Sequence, residues 1–350
     1  MSLTRDLLLR KNSPQLDIEI HLFENCNLQC AFCCQDHNDN GWDQKLIDKK
    51  LQVAFNFIDK NKDKKQPFTI CLMGGELFQD KFNQNQYDKY VWFYSKLKEK
   101  IDSVEGEMIP FITTNMTFNK DTRSNINYLI DQLKNINIDI RFRTSFDFIG
   151  RTWSPVEKEY FESNIFYYKD RLRGTATVLH KPNIEFLLSE KKDPLFEKIY
   201  ENFEVSFEFY MPDKRAPHIY LPSDEDLRKG LIYLAKNYPK CEPIVSWVNE
   251  DFNTIHCCSE GRIIIPVNGV VSNCLYLDYD PDKTNADLTV DHSTVENMAE
   301  RWFEDQGCLS CKHFNRCGWY CWPAIEWKTR EKSKTCFMED FFNEILEEAK

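Results

Sequence analysis

Cys26, Cys30 and Cys33 leave three and then two residues between them in the run Cys-Asn-Leu-Gln-Cys-Ala-Phe-Cys. Three closely spaced thiolates can hold three irons of a cubane iron-sulfur cluster and leave the fourth iron open, whereas a run of four completes the coordination and makes an electron carrier. Zinc sites and redox motifs also use short cysteine spacings, but neither calls for three thiols directly after an apolar strand. Residues 17–22, Asp-Ile-Glu-Ile-His-Leu, alternate as a strand does. The thiols therefore fall on the loop at its C-terminal end, where parallel α/β folds keep their chemistry.

Three further strand ends carry polar groups. Pro67 to Met73 is a short apolar run that leads into Gly74-Gly75-Glu76; glycines allow close approach of a ligand, and a carboxylate suits an ammonium group. Thr114-Asn115 and Ser145-Phe146-Asp147 close two later strands, where they serve either as hydrogen-bonding groups for a ligand or as caps and turns. A second set of thiols lies near the C-terminus: Cys308-x2-Cys311-x5-Cys317-x3-Cys321, then Cys336, preceded by Cys258 and by Gly269-x4-Cys274. A zinc ion takes four thiolates, and this segment offers more than four. Gly269 allows a hairpin between Arg262-Ile-Ile-Ile-Pro-Val and Val270-Val-Ser-Asn-Cys, which would bring Cys258 and Cys274 together.

The elements that must position these groups follow from periodicity. Residues 44–60 place Leu46, Ile47, Leu51, Ala54, Phe55 and Ile58 at helical spacing, and residues 85–101 do so with Tyr87, Tyr90, Val91, Tyr94 and Leu97. Strand-like runs recur at Ile109 to Thr114, Ile138 to Phe146, Thr175 to His180 and Val205 to Tyr210, with helical stretches between most of them. That βα alternation predicts a parallel sheet with helical crossovers. Beyond Tyr210 prolines punctuate a loop, and Ser223 with Asp226 predicts a capped helix over 227–238. The 350 residues suit two domains. Fourteen cysteines, clustered toward both ends, argue for metal or redox sites over disulfides, and Cys34 and Cys71 are expected to be structural. A net charge of -11 disfavours a broad nucleic-acid surface. Without 18 consecutive apolar residues or a signal-like N-terminus, the expectation is a cytoplasmic protein with no membrane span.

The C-x3-C-x2-C spacing, with Phe32 just ahead of the last thiol, resembles the signature of the radical S-adenosylmethionine (SAM) superfamily. The resemblance implies a partial (β/α)6 barrel followed by a small Cys-rich SPASM domain. In it Cys26, Cys30 and Cys33, beside Phe32, would hold a SAM-binding 4Fe-4S cluster, and Gly74, Gly75 and Glu76 would form the motif that contacts the SAM amino group. Asn115 and Ser145 would line the SAM site, Ser145 near the ribose. The family often places Pro after the Gly-Gly-Glu motif, where Leu77 and Phe78 stand here.

The C-terminal thiols resemble the SPASM pattern of two auxiliary 4Fe-4S clusters. This implies Cys308, Cys311, Cys317 and Cys336 on one, and Cys258, Cys274 and Cys321 on the other, whose fourth ligand is Cys241, Cys257 or an open position. His256 and His313 are read as neighbours of the clusters rather than ligands. The implied organisation is a barrel over 1–220, a bridging region over 221–255 and a SPASM domain over 256–350.

The implied reaction is reductive cleavage of SAM to a 5'-deoxyadenosyl radical that takes hydrogen from a peptide or protein side chain, giving oxidation, crosslinking or epimerisation. Small-molecule or nucleotide chemistry is the enzymatic alternative, and a non-catalytic iron-sulfur or zinc-binding protein is the other. The implied partners are that substrate and an electron donor such as flavodoxin or ferredoxin. Leu275 follows Cys274 where sulfatase-maturating enzymes place a catalytic Asp, which takes support from a formylglycine-generating role. The sequence starts close to its first strand, leaving little room for an added N-terminal peptide-recognition domain.

Overall fold

The computed structural model describes residues 16–33, 35, 37, 41–210, 218–249, 261–267, 271, 308–313, 316–317 and 336–348. Cys34, Cys257, Cys258, Gly269, Cys274 and Cys321 lie outside them, as does His256.

Among the described residues, seven strands form one curled, wholly parallel sheet: β1 (Leu16–His21), β2 (Phe68–Met73), β3 (Met108–Thr113), β4 (Arg141–Ser145), β5 (Leu172–Leu179), β6 (Val205–Phe209) and β7 (Arg262–Ile265). Their order is β6-β5-β4-β3-β2-β1-β7. Helices α1 (Gln44–Asn61), α2 (Gln84–Asp102), α3 (Lys120–Asn135), α4 (Pro155–Tyr167), α5 (Lys181–Leu188) and α6 (Pro194–Asn202) fill the crossovers. Leu16, Ile18 and Ile20 of β1 are buried in the core with Ile70, Leu72, Ile112 and Phe142 from the next three strands. The parallel sheet is what the βα alternation predicts, and its curl is consistent with the partial barrel that the resemblance implies.

Helical period located α1 and α2 and misassigned part of their faces. On α1, Ile47, Leu51, Ala54 and Ile58 are buried, but Leu46 and Phe55 are only half-buried, and Phe57 and Lys50 take their share of the inner face. Lys50 is sealed in, with its Nζ donating to the carbonyls of His21 at 2.5 Å and Leu22 at 3.3 Å. Those carbonyls take the place of water around the buried ammonium. On α2 Phe93 is buried where Val91 is half-buried.

Arg262-Ile-Ile-Ile also departs from expectation. Rather than serving solely as a hairpin arm of a separate domain, it adds to the barrel sheet, parallel to β1, with Asp17 opposite Arg262 and Ile20 opposite Ile265. A continuous apolar run suits a strand covered on both faces. Further along, Ser223 forms the expected capping box at α7 (Asp224–Asn237), which is followed by α8 (Ile244–Asn249). The C-terminal helix α9 (Phe337–Glu348) docks through Phe341 and Phe342 on Trp247 of α8.

The concave face of the sheet is charged. Glu19 accepts from Arg262 NH2 at 2.8 Å and pairs with His21 Nε2 at 2.8 Å. Burial alone would raise its pKa, but the Arg262 charge and the His21 bond outweigh it and hold the carboxyl at about 2, against an ordinary 4.5. A carboxylate depressed on folding adds stability that is fully present above about 4.5 and fades as pH falls toward 2; a shift of this size corresponds to about 3 kcal/mol. Denaturant unfolding of Glu19→Gln should therefore fall well below wild type at pH 7 and approach it at pH 3. Equal stability at pH 7 would refute the pairing.

Candidate functional site

The cysteine loop leaves β1 between two clamps. Lys50 holds the last carbonyls of the strand. On the other side, Leu22 N–H donates to Met73 O at 2.9 Å, Gly75 N–H to Phe23 O at 2.8 Å and Glu76 N–H to Asn25 O at 2.9 Å. The loop thus runs along Gly74-Gly75-Glu76 as an extra stretch of backbone pairing. A Cβ on Gly74 or Gly75 would come closer than 3.0 Å to the carbonyl of Phe23 or Asn25 respectively. The close approach that the glycines permit is therefore to the chain's own cysteine loop, where the sequence suggested a ligand.

Each of the three thiols has a donor nearby. Leu28 N–H donates to Cys26 Sγ at 3.4 Å and Gln35 N–H to Cys33 Sγ at 3.5 Å. The Arg151 guanidinium lies within reach of Cys30 and favours its ionisation, against a larger push upward from burial. Burial first, then the nearby Glu76 charge, pushes the Cys26 thiol up to about 12. Without a bound cation the Cys26 and Cys30 sulfurs are held toward their protonated form, and a metal must displace those protons. Donors aimed at sulfur fit a set of thiolates, so the three residues suit an iron-sulfur group.

Glu76 is fully buried. Its Oε1 accepts from Phe78 N–H and Thr114 Oγ1, both at 2.7 Å, and its Oε2 from Asn115 N–H at 2.5 Å. Burial raises its pKa in spite of these bonds. The carboxylate therefore joins the β2 exit to the β3 exit. Asn115 turns its Nδ2 to Asn27 Oδ1 at 2.7 Å, beside Cys26, and its Oδ1 takes Thr117 N–H at 2.9 Å. Met116 between them is left-handed, at φ 59°, a strained conformation for a side chain of this kind.

Ser145 ends β4, with its Oγ accepting from Arg151 NH2 and its carbonyl from Arg151 NH1 at 2.8 Å. Phe32 is half-buried, its ring centroid 5.0 Å from that of His180. Behind it lies a network that sequence reasoning missed. Asp147 Oδ2 meets His180 Nε2 and Asn183 Nδ2, both at 2.8 Å, and Oδ1 accepts the N–H groups of Ile149, Gly150 and Arg151. The sequence signal was slight: an Asp at a strand end and a His at another, 33 residues apart.

The described C-terminal thiols also gather. Cys308 opens a short 3-10 turn whose end is tied by Cys311 N–H to Cys308 O at 3.1 Å. Cys317 N–H donates to His313 O at 3.0 Å, and Cys336 O accepts Glu339 N–H at 2.9 Å and Asp340 N–H at 3.2 Å in the first turn of α9. Burial, followed by the neighbouring Cys336 and Cys311, raises Cys308 to about 12; Cys317 is raised by burial and by Cys336, Cys308 and Cys311. His313 is buried, bonded to Asn343 Oδ1 at 3.0 Å. Cys241 is packed in the apolar core and Cys71 in β2, where its Sγ is 3.4 Å from Thr113 Oγ1. Among the described residues no three His, Cys, Asp or Glu side chains converge closely enough to hold one metal ion.

No family model matches the sequence, and no curated protein matches it. Solved structures do. The chain is similar to native anSMEcpe with bound AdoMet and Cp18Cys peptide, at 15% identity over 96% of this chain and 97% of that one, with a TM-score of 0.57. Native anSMEcpe with bound AdoMet gives 13% identity over 95% and 96%, with a TM-score of 0.59. Streptococcus suis SuiB bound to precursor peptide SuiA gives 14% identity over 92% of this chain and 76% of that one, at 0.50. The chain shares its fold with these solved structures. In this fold the cysteine loop, the Gly-Gly-Glu turn and the Ser145 and Asp147 segment all lie at the C-terminal ends of the strands. Among the described residues, no helix is long and apolar enough to cross a membrane.

Proposed function

We propose that the chain is a radical SAM enzyme that acts on a peptide or protein side chain, with a SPASM-type pair of auxiliary clusters. The observation that carries this reading is the trio Cys26, Cys30 and Cys33, each with a hydrogen-bond donor or cation beside it, on the loop after β1. A 4Fe-4S cluster on those thiols supplies, when bound, the electron that cleaves SAM to a 5'-deoxyadenosyl radical able to take hydrogen from a substrate.

The chain's own residues bind, orient and shield. Gly74, Gly75 and Glu76 hold the cysteine loop in register; Asn115 and Ser145 offer polar groups at the rim for the nucleoside, and Phe32 and His180 close one wall. Arg143, stacked on Phe111 at 4.3 Å, and Glu208, near enough to feel the charges of Arg262 and Arg143, make no hydrogen bond with described side chains, which leaves them for polar groups of a substrate. Cys308, Cys311, Cys317 and Cys336 would hold one auxiliary cluster, and Cys258, Cys274 and Cys321 the other. The peptide reading draws support from the fold likeness to anSMEcpe and SuiB, both solved with peptides.

Anaerobic reconstitution tests it. About twelve irons per chain are expected if three 4Fe-4S clusters load, and reduction in the presence of SAM should yield 5'-deoxyadenosine. Zinc uptake without cluster absorbance, or loaded protein that leaves SAM intact, would sink the proposal.

A further inference from the structure

The loop carrying Cys30 and the turn after β4 lie side by side in a fixed register. Ala31 N–H donates to Gly150 O at 2.9 Å, and Thr152 Oγ1 donates to Gln29 O at 2.9 Å. These two bonds flank Cys30 on one strand of backbone and Arg151 on the other, so the two residues stand opposite each other. Arg151 is held in that place from behind. Its N–H is bound by Asp147 Oδ1 at 3.0 Å, its NH1 and NH2 are spent on Ser145, and its guanidinium lies 5.3 Å over the Trp153 ring. Its Nε–H is buried and has no acceptor. A buried donor without a partner costs free energy comparable to a lost hydrogen bond, and the guanidinium that carries it is within reach of the Cys30 thiol. Gly150 is also required here, because a Cβ would come closer than 3.0 Å to Phe32 Cδ1 and His180 Nε2.

We infer that Arg151 is a positioning residue for the first iron-sulfur site: its guanidinium donates to the sulfur of Cys30 once that thiolate is on iron, and its charge raises the reduction potential of the cluster. The inference rests on the assignment of Cys26, Cys30 and Cys33 as cluster ligands. A cluster gains negative charge on reduction, so a fixed cation at one ligand favours the reduced state, and hydrogen bonds to the sulfurs act in the same direction. The cation also offsets the cost of burying that charge.

The test uses the full chain, reconstituted anaerobically, as wild type, Arg151→Gln and Arg151→Lys. The electron paramagnetic resonance signal that changes when SAM is added is followed through a redox titration, which singles out the first cluster from the auxiliary ones. In Arg151→Gln the ratio of reduced to oxidised cluster at a fixed solution potential should fall by about tenfold, equal to a midpoint about 59 mV lower for one electron. Arg151→Lys, which keeps the charge, should recover most of that loss. Iron lost in Arg151→Gln and retained in Arg151→Lys would also support the assignment. An unmoved midpoint in both variants, or equal iron loss in both, overturns it. Failure of the wild type itself to take up a SAM-responsive cluster defeats instead the assignment of the three thiols.

Discussion

Gly75→Ala is expected to cost about 3–5 kcal/mol and to release the cysteine loop from its place. The new methyl group would meet the carbonyl carbon and oxygen of Asn25 and the carbonyl oxygen of Glu24, all closer than 3.0 Å. These are backbone atoms, so no side chain can swing aside. Relief requires the loop and the β2 exit to separate, which breaks Gly75 N–H to Phe23 O and Glu76 N–H to Asn25 O. Two such bonds are worth about 1 kcal/mol each, and overpacking adds about 1–3 kcal/mol. Gly230→Ala makes the same chemical change in the middle of α7, where the new Cβ meets only Ile184 side-chain atoms at 3.2 Å and beyond. There the gain in helix propensity, about 1 kcal/mol, offsets the tight contact. Denaturant unfolding with iron counting after reconstitution separates the two: Gly230→Ala should match wild type in both, and Gly75→Ala should fall in both. A Gly75→Ala protein that unfolds and loads like wild type would show that the backbone pairing does not hold the loop.

How much of this was legible in the sequence depended on distance along the chain. The strand before Cys26, the glycines after β2 and the Ser223 cap are local patterns, and each lies where its pattern put it. Lys50 shows the first kind of failure: on a helical wheel a lysine belongs outside, yet here its ammonium is received by carbonyls at the end of β1, nearly 30 residues earlier. Arg262-Ile-Ile-Ile shows the second, because a short apolar run fits a hairpin arm and a buried parallel strand equally well, and its partner β1 is over 240 residues away. The roles of Gly74, Gly75 and Glu76 show a third. Their types and location at the strand end were readable, but which neighbour the glycines make room for, and that Glu76 is spent on Thr114, Phe78 and Asn115, required the loops to be in place together.

The same non-local logic gives the second large effect, at Asp147. One carboxylate holds three consecutive backbone N–H groups, those of Ile149, Gly150 and Arg151, and with its other oxygen the side chains of His180 and Asn183. Asn183 N–H donates to His180 Nδ1 at 3.2 Å, so His180 Nε2 is the donor to Asp147. Burial pushes the Asp147 pKa up, but the bonds from His180 and Asn183 and the charge of Arg151 carry it below the ordinary value. Asp147→Asn turns an amide N–H2 toward donors at one oxygen and removes the charge from both, which should cost about 3–5 kcal/mol at pH 7, the range for a buried pair that loses one partner. Because the folded pKa is depressed, this contribution is complete above the unfolded value near 3.9 and is lost as pH falls through the folded value. The stability gap between wild type and Asp147→Asn should therefore be constant from pH 7 to about 5 and narrow below 4. A gap that stays open in acid would mean that the variant loses packing rather than a charged hydrogen-bond centre. Since the same three amides set the turn that faces Cys30, Asp147→Asn should also lower iron uptake after reconstitution, through the displacement of Gly150 and Arg151 from the cysteine loop.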